Sequence, residues 1–189
     1  MAKRASIFRH RDLGRVGLSR GQLRGMVRRK EAQRVSRGLY RRAGEVTELD
    51  SVATVCARLP EAIVCLLSAL IIHDIGSQLP SEVWIALDRR ARKPRIDDLP
   101  MRIVRFSGPL LRYGVETRRV QGVAVSITSP ARTIVDCFRY RNKIGLDIAL
   151  EALKDGLQRR LVTVNEITRA AKACRVFTVI KPYLEAAIG

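Results

Sequence analysis

The sequence is poor in the residue types from which metal and catalytic sites are most often built. Its only histidines are His10 and His73, and its four cysteines lie far apart, with no C-x-x-C pair. We therefore predict that it binds no metal and no other cofactor. The glycine motifs of nucleotide-binding loops, G-x-x-x-x-G-K-S/T and G-x-G-x-x-G, are also missing. Two histidines do not supply a Ser/His/Asp or Cys/His site, so we expect the protein not to be an enzyme.

Long apolar runs are absent as well. The most apolar stretch, AIVCLLSALII at 62–72, has eleven residues, which is too short to cross a bilayer. It predicts a buried helix that extends to His73. No signal peptide is recognisable, and scattered cysteines are typical of reduced, buried thiols. Together these features predict a cytoplasmic protein.

Acidic residues are scarce relative to basic ones. The chain has 36 Lys+Arg against 18 Asp+Glu, a formal net charge of +18. Residues 1–44 hold 14 of the basic residues and two acids, a net +12, which leaves +6 for residues 45–189. This asymmetry predicts a basic module over 1–44 and a larger globular domain over 45–189. Such an excess is best tolerated beside a polyanion, so nucleic acid is the first expected partner and an anionic membrane surface the weaker alternative.

The segment 18–30, LSRGQLRGMVRRK, predicts a basic helix. Ser19 stands three residues before Gln22, which is the spacing of a capping box at a helix start. Apolar residues at i, i+3 and i+4 predict its inner face: Leu23, Met26 and Val27. The rest of the helix is basic or glycine, with three arginines beside that face and the others pointing away from it: Arg20, Arg24, Arg28, Arg29, Gly21 and Gly25. Close approach of a bulky partner would explain two glycines in a helix, since each costs about 1 kcal/mol relative to alanine.

The flanking segments complete a recognisable order of elements. Residues 6–17 predict a short helix with Ile7, Phe8 and Leu13 among its apolar positions, and residues 33–42 predict a hairpin that turns at 36–38. Short helix, turn, capped basic helix and basic hairpin is the order of a winged helix-turn-helix, here with a trimmed first helix. In such modules the second helix enters the major groove of DNA and the wing grips phosphate. The competing interpretation is a solvated basic face without a partner.

On this hypothesis the DNA-binding candidates lie on the basic helix and the hairpin. Arginine suits guanine and glutamine suits adenine, so Arg24 and Gln22 are the candidates for base reading, with Gln22 weaker because capping would occupy it. Phosphate contacts supply affinity and base contacts supply sequence choice. The full predicted set is Ser19, Arg20, Gln22, Arg24, Arg28, Arg29, Lys30, Arg34, Arg37, Arg41 and Arg42.

The larger domain mixes strand and helix patterns. After a polar link at 45–50, the sequence predicts a helix over 49–59, the buried helix over 62–73, strands at 82–88 and 101–106, two strands within 114–128 that meet near Gln121-Gly122, a helix from Ser129-Pro130 to about Tyr140, and three further helices. A basic linker, RRARKPR, occupies 89–95. This order predicts an α+β fold with a small, mostly antiparallel sheet.

A few polar residues of the larger domain are candidates for a partner contact or a structural role. His73 at the end of an apolar helix is more often hydrogen-bonded structure than a catalyst. Arg132 and Asp136 stand at i, i+4, which predicts a helical ion pair worth about 0.3–0.5 kcal/mol, with contact to a partner protein as the functional alternative. Glu151 and Lys154 do not have the E-x-K spacing of nucleases, and Trp84 is predicted to lie in the core.

Four separated stretches in order resemble the AbiEi family of bacterial transcriptional regulators: RGLY at 37–40, SALIIHDI at 68–75, LPSEVWIAL at 79–87 and TSPARTIVDC at 128–137. These regulators are antitoxins of type IV toxin–antitoxin (abortive infection) systems. The resemblance implies a winged helix-turn-helix that binds inverted repeats in its own promoter, a C-terminal antitoxin domain, and a nucleotidyltransferase-like toxin as the cognate partner, contacted directly or not. Where the family pattern has a glycine and then an apolar residue after the recognition helix, this sequence has Lys30 and Ala32.

Two other functions stay open at this stage. The first is a DNA enzyme related to nucleases, since some relatives carry a nuclease domain. The second is a protein-interaction antitoxin that sequesters its toxin directly, while the basic region binds RNA or nothing specific.

Overall fold

The N-terminal module is a three-stranded antiparallel sheet with a helix against it. The structure, a computed structural model, describes residues 6–44 and 47–187. The module consists of β1 (Ile7–Arg9), a 3-10 helix (His10–Val16), α1 (Arg20–Arg28), β2 (Ala32–Ser36) and β3 (Leu39–Arg42). The strand order β1-β3-β2 places β3 in the centre. The predicted hairpin is confirmed, but its turn is Arg37-Gly38, since Ser36 of the predicted turn at 36–38 is the last residue of β2.

Helix α1 begins as predicted because of its capping box. The Gln22 backbone N–H donates to Ser19 Oγ at 3.1 Å, and the Ser19 N–H donates to Gln22 Oε1 at 2.7 Å. Leu23 and Met26 are buried, with 3% and 8% of their surface exposed. Val27 is 40% exposed, so its predicted place on the inner face is wrong.

The predicted helix over 6–17 is also partly wrong. Ile7 and Phe8 lie in β1, which pairs with β3 so that Ile7 faces Arg41 and Phe8 faces Tyr40. Only the second half of the segment is helical, as a 3-10 helix whose buried residue is Leu13. A strand forms because it satisfies the backbone groups on the free side of β3, a long-range effect that the local sequence does not show.

The exit from α1 is strained at Lys30. Lys30 has a φ of 58°, in the left-handed region, where the Glu31 N–H closes the helix by donating to Met26 O at 2.8 Å. A side chain costs roughly 1–2 kcal/mol in this conformation, and the greater freedom of glycine in the unfolded chain offsets roughly 0.5–1 kcal/mol of that.

Lys30→Gly is therefore expected to raise the free energy of unfolding by about 0.5–1 kcal/mol, measured by urea denaturation. Lys30→Ala keeps the Cβ atom and serves as the control, with no comparable gain expected. A Lys30→Gly protein less stable than the unmodified chain would contradict this account.

The larger domain is built around a five-stranded sheet with helices on both sides, so the fold is α+β. Its elements in chain order are α2 (Glu48–Arg58), β4 (Ile63–Val64), α3 (Leu66–His73), β5 (Val83–Asp88), β6 (Met101–Phe106), a 3-10 helix (Gly108–Leu111), β7 (Val115–Val120), β8 (Val123–Thr128), α4 (Pro130–Arg139), α5 (Arg141–Ile144), α6 (Leu146–Gln158), α7 (Val164–Ala173) and α8 (Phe177–Ala186). The predicted strands at 82–88, 101–106 and 114–128 and the helix after Ser129 are confirmed, and Trp84 is buried.

The sheet is mixed, which corrects the prediction that it is mostly antiparallel. Its order is β6-β5-β4-β8-β7, with β4–β5 and β7–β8 antiparallel and β5–β6 and β4–β8 parallel. The predicted helix over 62–73 begins only at Leu66, because Ile63 and Val64 form the central strand β4. The long connection at 89–100 allows β6 to return parallel to β5.

The two faces of this sheet carry separate cores. One face packs against α3, α4, α6, α7 and α8, through residues such as Phe106 and Phe138. The other face packs against α2, and the same cluster contains Ile7 and Leu39 from the N-terminal module. The module and the larger domain therefore share buried apolar surface.

Polar contacts strengthen that junction. The Ser6 hydroxyl donates to Asp50 Oδ1 at 2.6 Å, the Ile7 N–H donates to Gln121 O at 3.2 Å, and the Arg9 guanidinium donates to Ala57 O. Burial acts to raise the pKa of Asp50, but hydrogen bonds from Ser6 and Thr47 and the charge of Arg41 lower it overall. Thr47 and Asp50 form the capping box of α2, so the predicted polar link at 45–50 becomes a helix start; residues 45–46 lie outside the described residues.

All four cysteines are buried free thiols, as predicted. Burial raises the pKa of Cys56 to about 12 and that of Cys174 to about 11, so they act as protonated packing groups. In the part of the chain that the structure describes, no helix has both the length and the apolar character needed to cross a membrane.

Candidate nucleic-acid interface

A concave surface lies between α1 and the β2–β3 hairpin. We call it the α1–hairpin cleft. Its volume is about 470 Å³, and its lining is an apolar floor with basic side chains around it: Leu23, Val27 and Tyr40, and His10, Arg20, Arg24 and Arg34. Arg20, Leu23, Arg24 and Val27 come from successive turns of α1 and share one flank of the helix. The capping box fixes the residue at which α1 begins and thereby the side of the helix on which these four residues lie.

Most cations of the module have no acidic partner. Among residues 6–44 and 47–187, no ion pair is formed by Arg20, Arg24, Arg28, Arg34 or Arg37. Arg29 is different, because its Nε lies 2.7 Å from Glu31 Oε1 and its second nitrogen also bonds that carboxylate. This hydrogen bond lowers the pKa of Glu31, so the pair stays ionised and Arg29 is the least available of the predicted arginines.

The capping box limits what Ser19 and Gln22 offer to DNA. The Gln22 side-chain oxygen already accepts the Ser19 N–H. Pairing with adenine uses both the oxygen and the nitrogen of a glutamine amide, so it would cost Gln22 its capping bond. Arg24 is exposed in the cleft and takes no part in the capping box.

The hairpin arginines divide into two groups. Arg34 and Arg37 are exposed, whereas Arg41 and Arg42 are half-buried in the central strand. The Arg42 guanidinium lies 5.9 Å from the centre of the Phe8 ring, and the charge of Arg41 acts on Asp50. Arg41 and Arg42 therefore contribute to packing of the module, and Arg37 at the turn is the better phosphate contact. Lys30 is exposed at the end of α1.

The glycines of α1 lie away from the cleft. A Cβ atom at Gly21 would meet only Ser19 Oγ, at 3.9 Å, and one at Gly25 would meet the end of the Arg29 side chain, at 3.0 Å. Neither glycine is required by packing within the protein.

Sequence analysis missed a second basic region, which continues from the β2–β3 hairpin onto the larger domain. The end of β5, the starts of β4 and β8 and the end of β7 meet at one edge of the five-stranded sheet. We call the basic residues there the basic edge: Arg9, Arg11, Arg37, Arg58, Arg89, Arg90, Arg92, Lys93 and Arg95. Four of them, Arg9, Arg11, Arg37 and Arg58, line a hollow of about 540 Å³ between the turn of the β2–β3 hairpin and the end of α2.

The 89–95 loop is anchored although its basic side chains are exposed. Arg105 Nη1 donates to the backbone oxygens of Asp88 and Ala91, both at 2.9 Å. Arg58 pairs with Asp98 at 2.7 Å, which joins the loop to the hollow beside the hairpin. The five basic side chains of the loop form no ion pair with any residue that the structure describes. The sequence carries the signal, five basic residues in seven, but a run of this composition is also typical of a linker.

The Arg132–Asp136 pair is buried, which corrects its interpretation as an ordinary helical ion pair. Both side chains are 0% exposed, and Arg132 Nε lies 2.8 Å from Asp136 Oδ2. Arg132 Nη1 donates to Tyr113 O at 2.7 Å, and the guanidinium lies 4.8 Å from the centre of the Phe106 ring. Burial raises the pKa of Asp136 to about 6, against the opposing charge of Arg132. Neither side chain has exposed surface, which favours the structural alternative for this pair.

His73 also has a structural position. Its Nε2–H donates to Thr128 O at 2.6 Å, and the ring is buried. Burial lowers the pKa of His73, so the imidazole is neutral at pH 7. Glu151 accepts hydrogen bonds from Ser77 and Gln78, which fixes the loop after α3. Within the described ranges, no group of three or more His, Cys, Asp or Glu side chains is arranged to hold a metal ion.

Comparison with known proteins adds evidence on the fold. No protein-family model matches the chain, and no curated protein matches it. Among solved structures, the RV2827C protein from Mycobacterium tuberculosis is similar, with a TM-score of 0.61 and 14% sequence identity, and the alignment covers 98% of this chain and 73% of that chain. At this identity the likeness shows a shared fold and nothing of function.

Proposed function

We propose that this protein is a DNA-binding transcriptional regulator that represses its own promoter. The observation that carries the proposal is the cluster of unpaired arginines around the α1–hairpin cleft, Arg20, Arg24 and Arg34, with Arg37 on the adjacent turn. A protein that had no polyanionic partner would gain from acidic neighbours at these positions. Duplex DNA supplies one negative charge per about 1.7 Å of helix axis, and its neutralisation releases counterions.

On this proposal each part of the interface has a role. Helix α1 enters the major groove with Arg24 as the base-reading residue, since arginine pairs with guanine through two hydrogen bonds. Arg34 and Arg37 contact phosphates from the wing and fix the orientation. The basic edge extends phosphate contact beyond the groove that α1 occupies.

The resemblance to AbiEi proteins supports a more specific role, that of the antitoxin in a type IV toxin–antitoxin system. On this proposal the larger domain acts on a nucleotidyltransferase-like toxin, and the chain itself catalyses no reaction. Co-expression with the product of the neighbouring gene distinguishes the two antitoxin mechanisms. Co-purification of a stable complex supports direct sequestration, and its absence supports an indirect mechanism. Cleavage of DNA in the presence of Mg²⁺ would instead favour the nuclease alternative.

The repressor proposal is tested with duplex DNA from the region upstream of the gene. Neutralising about five phosphates gives a slope near −4.5 in a plot of log K against log salt concentration. We expect that slope, together with a preference over random duplex of the same length. A flat salt response or equal binding to random duplex would contradict the proposal.

Two arginines of α1 provide a matched pair of variants for this experiment. Arg24→Ala is expected to weaken binding and to reduce the preference over random duplex, with the fold retained because the side chain is exposed. Arg29→Ala removes the same charge from the same helix, but Arg29 is paired with Glu31 and lies outside the cleft. It should bind nearly as the unmodified protein does.

A further inference from the structure

Val27 is an exposed apolar residue in the last turn of a basic helix. In the described part of the N-terminal module it is the one large apolar side chain that stays exposed, at 40%. Its neighbours on the inner face of α1, Leu23 and Met26, are buried. Val27 shares its flank of the helix with Arg20 and Arg24, and all three line the α1–hairpin cleft.

The cleft has an apolar part that phosphate binding does not require. A phosphate requires donors and positive charge, which Arg20, Arg24 and Arg34 supply. It gains nothing from the apolar floor made by Leu23, Val27 and Tyr40. An exposed apolar side chain one turn beyond Arg24 matches a surface that has an apolar group next to a hydrogen-bond acceptor. In the major groove of DNA, the thymine 5-methyl group is the apolar feature of a base edge.

We propose that Val27 is a specificity-determining residue that contacts the methyl group of a thymine in the operator, next to the base read by Arg24. This inference rests on the proposed DNA-binding function and adds to it a defined element of the sequence that is read. Arg24 selects by hydrogen bonds, and Val27 selects by burying a methyl group that cytosine, adenine and guanine lack.

The test uses duplexes from the upstream region in which single thymines are replaced by uracil. Uracil keeps the base pairing and the O4 acceptor and removes only the methyl group. At one position or one symmetric pair of positions, we expect the unmodified protein to bind the uracil duplex about fourfold more weakly, the value of one buried methyl group. Val27→Ala should abolish that ratio, while Arg24→Ala should weaken binding to both duplexes and keep the ratio.

Each outcome bears on the proposal. If no uracil substitution weakens binding, or if Val27→Ala retains the same thymine-to-uracil ratio as the unmodified protein, thymine reading by Val27 is excluded while DNA binding stands. If the unmodified protein shows no salt-dependent preference for the upstream duplex, the repressor function and this inference fail together. Circular dichroism confirms folding of the variants, and a packing role alone would change stability without changing the ratio.

Discussion

Replacing Asp136 with alanine is expected to lower the free energy of unfolding by about 3–5 kcal/mol. The change leaves the Arg132 guanidinium without its carboxylate partner at a site where neither side chain is exposed. The carbonyl of Tyr113 and the ring of Phe106 remain, but they do not neutralise a full charge. Domains of this size are stable by about 5–15 kcal/mol, so the loss is a large fraction of the total. Urea denaturation followed by circular dichroism measures it.

The double variant Arg132→Met/Asp136→Leu is the informative control. It removes both charges together and fills the space with apolar atoms, so its stability should lie much closer to that of the unmodified protein than Asp136→Ala does. If the double variant is as unstable as the single one, packing around the pair, and not the unpaired charge, determines the loss. An Asp136→Ala protein of unchanged stability would show that the ion pair is not formed.

The second large effect is expected at the 89–95 loop. Changing Arg90, Arg92 and Lys93 to glutamine removes three charges that have no ion-pair partner among the described residues. Each phosphate contact contributes about 0.9 to the slope of log K against log salt concentration. One contact therefore raises the affinity at 0.15 M salt about fivefold over its value at 1 M salt. Three lost contacts therefore predict a slope shallower by about 2.7 and binding weaker on the order of 100-fold at 0.15 M salt. The affinities for the specific and the random duplex should fall by similar factors, because phosphate contacts do not distinguish bases.

The matched control removes the same charge from the opposite face of the sheet. Lys154, Arg169 and Lys172 are exposed on α6 and α7, which pack against the face that does not carry α2. Their triple change to glutamine should leave the slope nearly unchanged. Equal losses in the two triple variants would mean that net charge alone matters and that the basic edge is not a contact surface.

The elements that sequence analysis predicted well are those fixed by neighbouring residues. The start of α1 depends on Ser19 and Gln22, three residues apart, and the β7–β8 turn on Gln121-Gly122, both with positive φ. The short strands β1 and β4 were missed because their partners are distant. Ile7 pairs with Arg41, and Ile63 lies between Ala86 and Ser126. Two or three residues carry too little periodicity to predict a strand without knowledge of its neighbours.

The candidate interface was predicted in composition but not in detail. The charge of residues 1–44 identified the region, yet charge alone did not show that Arg29 is paired or that Arg42 lies against Phe8. Val27 was assigned to the inner face because helical spacing defines a face only to within about one residue. The Arg132–Asp136 spacing correctly indicated an ion pair, but its burial depends on Phe106 and Tyr113, which come from other elements.

On the proposed function, the shared core between Ile7, Leu39 and α2 would link DNA binding to the stability of the whole chain. Ile7 and Leu39 pack in the core of the larger domain and not in the small cluster of Phe8, Leu13 and Leu23 within the module. Unfolding of the module therefore also exposes part of the larger domain. DNA at a free concentration of 100 times its Kd would therefore raise the free energy of unfolding of the entire protein, and not of the module alone, by about 2.7 kcal/mol. By the same linkage, a molecule that loosens α2 would release the DNA, since affinity and stability are then two measures of one equilibrium.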